Sequence, residues 1–258
     1  PYLVAAADAA CSAASARSAS EEAVSSSPSS SSTKEELLAA HLAYVRLEER
    51  ALASGKGDRK ENLKRVLIAH ERAVAAFPLT SFLWCSLGSF AESSFPEDPS
   101  LAASVYARAL RNCPWVGELW ARALRAAERR GERRKKEEEE SGGGGENPSS
   151  SSSSKADEEF DALFRSAMSA PLSTADEFVE CILVRLDRMR RKAQGASTTE
   201  SGENAKKELF NELRAAFLEA SRWLSAAFPY WEDPGLRLAS YLPQLELGEV
   251  GGGGPEAA

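Results

Sequence analysis

Apolar residues recur at three- and four-residue intervals along most of the chain, and clear alternating strands are absent. Leu37, Leu38, His41, Leu42, Val45 and Leu47 fall on the stripe of an amphipathic helix beginning after Thr33. Leu63, Val66, Leu67, His70, Val74 and Phe77 predict a second helix over 60–77. Pro78 stops it, because proline lacks the N–H that the next turn would need. The same spacing predicts helices over 80–94, 99–113, 116–133, 156–170, 174–194, 204–228 and 235–247. Phe178, Ile182, Leu186 and Met189 form one stripe, and Leu209, Leu213, Phe217 and Leu224 another. The ordered part of the chain reads as all-α.

Polar, low-complexity stretches interrupt the helices. Residues 1–33 are rich in Ala and Ser and include SSSPSSSST, which cannot bury enough apolar surface to offset chain entropy. That segment is expected to be disordered. Residues 34–247 are the folded part, with a charged and then Gly/Ser-rich insertion at 132–155 and a polar loop at 195–203. The Gly-rich residues 248–258 are read as a disordered tail. The chain opens on Pro1 rather than Met, which suggests a processed protein or a piece of a longer one.

An internal repeat sets the architecture. Arg72-Ala73 recurs as Arg108-Ala109, Pro78 as Pro114, and Leu83-Trp84 as Leu119-Trp120, each 36 residues on. Arg165 precedes Pro171 by the same six residues that separate Arg72 and Arg108 from their prolines. Glu92 and Glu128 follow the two tryptophans by eight residues, and His41 with Glu49 repeats that spacing beside Tyr44 in the first helix. Tyr106 belongs to the same register, and Ile182 takes the tryptophan position of the third repeat. A helix pair of about 35 residues cannot bury both its faces alone and must stack on its neighbours. The fold predicted is an antiparallel helical-hairpin solenoid, a right-handed superhelix of four to five hairpins. Repeat arginines and glutamates are expected to pair between helices. The 132–155 insertion then falls between the two helices of one repeat.

Composition narrows the function. Lys and Arg total 32 against 39 Asp and Glu, for a net charge of −7, unlike a protein that coats nucleic acid. Four cysteines stand far apart with no CxxC pair, and there are two histidines, which argues against a structural metal or a disulfide framework. No apolar run approaches the roughly 20 residues of a membrane span. His41 and His70 lie on apolar helix faces and read as core residues. Cys113 has no basic neighbour to activate it. The two GGGG runs lack the Lys and Ser/Thr of a phosphate-binding loop. No catalytic, cofactor or metal residue is assigned. Arg185, Arg188, Arg190, Arg191 and Lys192 form a basic strip near the end of one helix. It could contact RNA phosphates or an acidic partner; a solvated face suited to the helix C-terminus is the reading favoured. Residues 129–136, RRGERRKK, have the look of a nuclear-localisation patch, but four glutamates follow and favour a charge-balanced linker.

A tryptophan-bearing helix followed by an Arg-Ala helix that ends in proline resembles the half-a-TPR (HAT) repeat. The stretch from Val105-Tyr106 through Arg108-Ala109-Leu110-Arg111-Asn112-Cys113-Pro114-Trp115, then Glu118-Leu119-Trp120 and Glu128-Arg129, is similar to the U4/U6 snRNP recycling factor family. Phe178-Val179-Glu180, Leu186-Asp187, Arg190-Arg191 and Leu213-Arg214-Ala215-Ala216-Phe217 continue the likeness in the same order, over roughly residues 35–247. Departures are Arg190 where a glutamate is expected and Glu219 where an arginine is expected. The resemblance implies a nuclear, non-catalytic scaffold that binds protein partners in an RNP complex. It further implies association with the U4/U6 snRNP and homodimerisation through later repeats. A HAT scaffold of another RNA-processing complex, or a TPR-like peptide-binding adaptor, are the alternatives.

Overall fold

The computed structural model describes residues 15–22, 24, 34–141, 150–195, 200–233 and 237–241. These residues are helical apart from short turns, and they divide into two compact units, Pro1–Cys113 and Pro114–Ala258. The first unit holds α1 (Lys34–Ala53), α2 (Arg59–Ala76), α3 (Ser81–Ser94) and α4 (Pro99–Asn112). The second holds α5 (Gly117–Ser141), α6 (Ser150–Met168), α7 (Ala175–Gln194) and α8 (Glu200–Ala227). In the first unit each helix packs on the next. In the second, α5 and α6 pair, α7 and α8 pair, and α5 also lies against α7. That is the all-α hairpin stacking of a solenoid, as the repeat implies.

Three turns of the first unit share one geometry. Phe77, Phe95 and Cys113 close α2, α3 and α4 with φ of −129°, −130° and −130° and ψ of 64°, 57° and 61°. Each precedes a proline, which bars the helical region to the residue before it. Their N–H groups donate to the carbonyls of Ala73, Ala91 and Ala109. The spacing is 18 residues, so the 36-residue repeat contains a half-repeat that its sequence offsets did not reveal. Asp58 and Asp98 cap α2 and α4 by accepting from Lys60 N and Ser100 N, both at 3.1 Å. Gly88 lies where α3 meets α4, and a β-carbon there would overlap the Tyr106 ring.

The polar segments are more ordered than composition implies. Residues 15–22, placed within the disordered 1–33, are helical. They dock on α1: Arg17 Nε lies 2.9 Å from Glu48 Oε1, and the Tyr44 hydroxyl donates to Glu21 Oε1 at 3.1 Å. Glu48 is buried, and leaving it unpaired would be costly. Within the 132–155 insertion, α5 continues to Ser141 and α6 starts at Ser150. Arg133–Glu137 and Lys136–Glu140 are i,i+4 pairs that prolong α5. Arg130 and Arg134 of α5 reach Glu159 of α6 at 2.8 and 3.3 Å, tying the two helices together. The 195–203 loop is shorter than read, because α8 begins at Glu200. Of the helix expected over 235–247, residues 237–240 form a turn leading into Tyr241, and all of the remainder lies outside the described residues, as does 248–258.

Candidate functional site

Most of the repeat residues build the core. Tyr44, Ala73, Trp84, Tyr106, Ala109, Leu119, Trp120 and Ile182 are buried. The two tryptophans are fixed by polar contacts as well. Trp84 Nε1 donates to the Pro78 carbonyl at 2.7 Å, and Trp120 Nε1 to the Pro114 carbonyl at 2.8 Å. Proline thus ends one helix and offers its carbonyl to the tryptophan of the next, an arrangement that sequence spacing alone did not expose. A ring that must find an acceptor for its N–H is held in one orientation.

The repeat arginines do not enter the core. Arg72 and Arg165 are exposed and Arg108 is half-buried, because a guanidinium keeps its hydration unless it is fully paired. Arg108 lies over the Trp84 ring at 5.3 Å from its centroid and binds both oxygens of Glu71, at 3.0 and 2.7 Å. Its partner is therefore Glu71. Glu128 also pairs, with Arg191 rather than with Arg165. Pro78 is exposed and Pro114 half-buried at the turns they enforce.

In the basic strip of α7 Arg188 is buried, Arg185 and Arg190 are half-buried, and Arg191 and Lys192 are exposed; all five make contacts within the fold. Arg188 is buried, donates to Asp157 Oδ1 at 2.6 Å and lies 3.9 Å from the Phe160 ring centroid. Lys192 reaches the other oxygen of Asp157 at 2.8 Å. Arg191 makes a two-pronged contact with Glu128, Nε at 3.2 Å and Nη2 at 2.6 Å. Arg185 covers the Phe164 ring at 4.7 Å, and Arg190 pairs with Asp187 at 3.1 Å. Lys192, Arg188 and other cations around Asp157 hold its carboxyl below the usual range, against the opposing push of desolvation. Signals for this existed in the sequence only as Glu128 and Asp157 on neighbouring helices.

Between these pairs run two shallow clefts of the second unit. One, of about 190 Å³, is lined by Glu128, Glu132, Lys135, Asp157, Arg188 and Arg191 among others. The other, of about 260 Å³, is bounded by Arg125, Arg129, Glu132, Val184 and Asp187 with the same Glu128–Arg191 pair as a shared wall. Both signs of charge line each cleft, so they suit polar contact with a protein surface better than a polyanion.

Reactive chemistry has little foothold. Cys85, Cys113 and Cys181 are buried and form no disulfide among the described residues; desolvation raises Cys113 and pushes Cys181 up to about 12, so both stay protonated. Cys11 lies outside the described residues. His41 and His70 are buried, the latter stacked on Phe90 and 3.3 Å from Glu49. Burial holds both imidazoles below their ordinary pKa. Among the described residues no cluster of three His, Cys, Asp or Glu could hold a metal ion. No described helix is long and apolar enough to cross a membrane.

Fold and packing define an all-α helical-hairpin repeat protein. No family model matches the chain. Its similarity to curated proteins runs to "Spliceosome associated factor 3, U4/U6 recycling protein" of Mus musculus, Homo sapiens and Caenorhabditis elegans, each 29% identical. The mouse match covers 160 residues, 62% of this chain and 13% of the relative. The human match covers 161 residues, 62% of this chain and 13% of the relative. The nematode match covers 169 residues, 66% and 17%. The chain thus spans only about an eighth to a sixth of the length of these relatives. The likeness to U4/U6 recycling factors read from the sequence is borne out, over a stretch shorter than 35–247.

Proposed function

We propose that this chain is a non-catalytic interaction scaffold of nuclear pre-mRNA splicing, acting in assembly or recycling of the U4/U6 snRNP. The observation that carries this reading is the similarity to U4/U6 recycling proteins in three animals, on a chain built of packed helical hairpins. Stacked hairpins expose extended faces to partners. The cations of α7 are engaged within the fold, which favours protein contacts over direct RNA contact in this stretch. Homodimerisation belongs to the same proposal, through repeats outside this chain.

The test is immunoprecipitation of the endogenous protein followed by sequencing of its bound RNAs. Recovery of U4 and U6 snRNAs together, with a gel mass well above 27.8 kDa, is the outcome this function requires. Recovery of 3′-end processing factors without either snRNA would replace the recycling role by another RNA-processing scaffold. Recovery of peptide-tail partners with no RNP at all would favour the adaptor.

A further inference from the structure

Each turn that hands one hairpin to the next places an apolar residue directly after its proline: Leu79, Trp115, Leu172 and Tyr230. The turn inside the second hairpin puts Glu97 after Pro96 instead. Three of them do not serve the core: Leu79 is 67% exposed, Trp115 46% and Tyr230 97%, while Leu172 is half-buried. A large apolar side chain left in water at the same position of successive repeats calls for a covering partner.

Three of these turns converge in the second unit. Gly117 N donates to Glu177 Oε1 at 3.1 Å, so the turn carrying Trp115 abuts the start of α7, just past Leu172. Phe178, the next residue, has its ring centroid 5.0 Å from Trp223 and 5.7 Å from Phe228, which brings in the end of α8 and the turn of Tyr230. Trp223 is itself 37% exposed. Trp231 Nε1 is buried there without an acceptor among the described residues, unlike the indoles of Trp84 and Trp120.

Charge selects the occupant. Across residues 114–118, 171–180 and 218–233 the only basic residue is Arg222. Asp176, Glu219 and Glu232 are exposed and make no ion pair among the described residues. Carboxylates beside aromatic faces repel phosphates and attract cations. A planar guanidinium satisfies both features, stacking on a ring while its edge meets a carboxylate. We propose that this edge docks an extended, arginine-bearing segment of a partner protein, with Trp115 and Tyr230 as stacking platforms and Asp176 and Glu232 as counter-charges. The inference rests on the scaffold reading, but its test involves no snRNP, so the two can fail separately.

The probe is a fluorescein-labelled 12-residue peptide of alternating Arg and Gly, titrated with the full chain and followed by anisotropy. Binding is expected, weakened about tenfold in W115A/Y230A and by a similar factor in D176K/E232K. The lysine version of the peptide should bind several-fold more weakly. Glu35→Lys with Glu208→Lys makes the same charge change at exposed positions elsewhere, and should leave affinity within about twofold. No binding of the arginine peptide, an equal loss in E35K/E208K, undiminished affinity in W115A/Y230A and D176K/E232K, or displacement of the peptide by oligouridine would each overturn the proposal.

Discussion

The two units solve the same packing problem with different chemistry. In the first, helices meet mainly through rings and aliphatic side chains, with Arg108–Glu71 as a half-exposed ion pair beside them: His41 stands edge-on to Phe77 at 5.8 Å, His70 stacks on Phe90 at 5.4 Å, and Phe90 meets Phe95 at 6.2 Å. In the second, the seam of α5, α6 and α7 is laced by Glu128–Arg191, Asp157–Arg188–Lys192 and Glu159–Arg130–Arg134. Apolar packing is non-directional and tolerates hydrophobic exchange. Two-pronged ion pairs fix register, because an arginine displaced by one turn loses its carboxylate. The ion-paired seam joins the repeat of Trp120 to the following one, which has Ile182 in the tryptophan position.

The largest effect should come from the shared element rather than from the contrast. Trp120→Ala empties a core site and removes the bond to the Pro114 carbonyl, and should cost about 3–5 kcal/mol in urea unfolding. Trp120→Phe keeps much of the volume and should lose less. An equal loss in both would mean that the indole N–H dominates the site.

Arg188→Ala sharpens the contrast next. It withdraws a buried guanidinium from Asp157 and Phe160, for a loss of about 2 kcal/mol. Arg72→Ala, at an exposed repeat arginine of the first unit, should stay within about 0.5 kcal/mol. Chemical denaturation of both variants separates a seam residue from a surface one.

Acidification should affect the units in different pH ranges. His41 and His70 have folded pKa values below the ordinary 6.5, so between those values the unfolded chain takes up protons that the fold refuses. First-unit stability therefore falls as pH drops through 6.5 and levels off once the folded values are passed. In the second unit, Asp157, Glu159 and Glu177 lie below their ordinary 3.8, 4.5 and 4.5. Their stabilisation is complete above those values and is lost only as pH falls beneath them. Amide-exchange protection factors should fall in α1–α3 near pH 6 while those of α5–α7 hold until below about pH 4.5. The smallest effect is that of salt. Raising it from 0.05 to 0.5 M should weaken the α5–α7 seam by under about 1 kcal/mol and leave the first unit nearly unchanged.

Much of this fold was legible in the sequence, for reasons that differ by residue. Trp84, Trp120 and their prolines are rare residue types at one offset, so their positions carry structure directly. The 18-residue half-repeat was harder to read, because Phe95-Pro96 lacks the Arg-Ala and Trp markers that flank the other turns. Residues 15–22 were missed because Ala and Ser give no apolar stripe. Their docking depends on Arg17 meeting a glutamate buried in α1, which no local pattern announces. The α7 strip was visible as charge, but its role was not: Glu128 lies more than 60 residues from Arg191 in sequence and 2.6 Å away in space. Exposure could not be inferred either: Arg72 and Arg165 recur in register with the buried repeat residues yet face solvent.

In the proposed scaffold the basic strip of α7 serves the fold and is not kept free for RNA. A double-mutant cycle on Glu128 and Arg191 tests it, with unfolding free energy and oligouridine affinity measured on the same four proteins. The structural role requires a coupling of about 1 kcal/mol or more, with RNA affinity unchanged across the cycle. Zero coupling, with RNA affinity reduced about tenfold by Arg191→Ala alone, would contradict it.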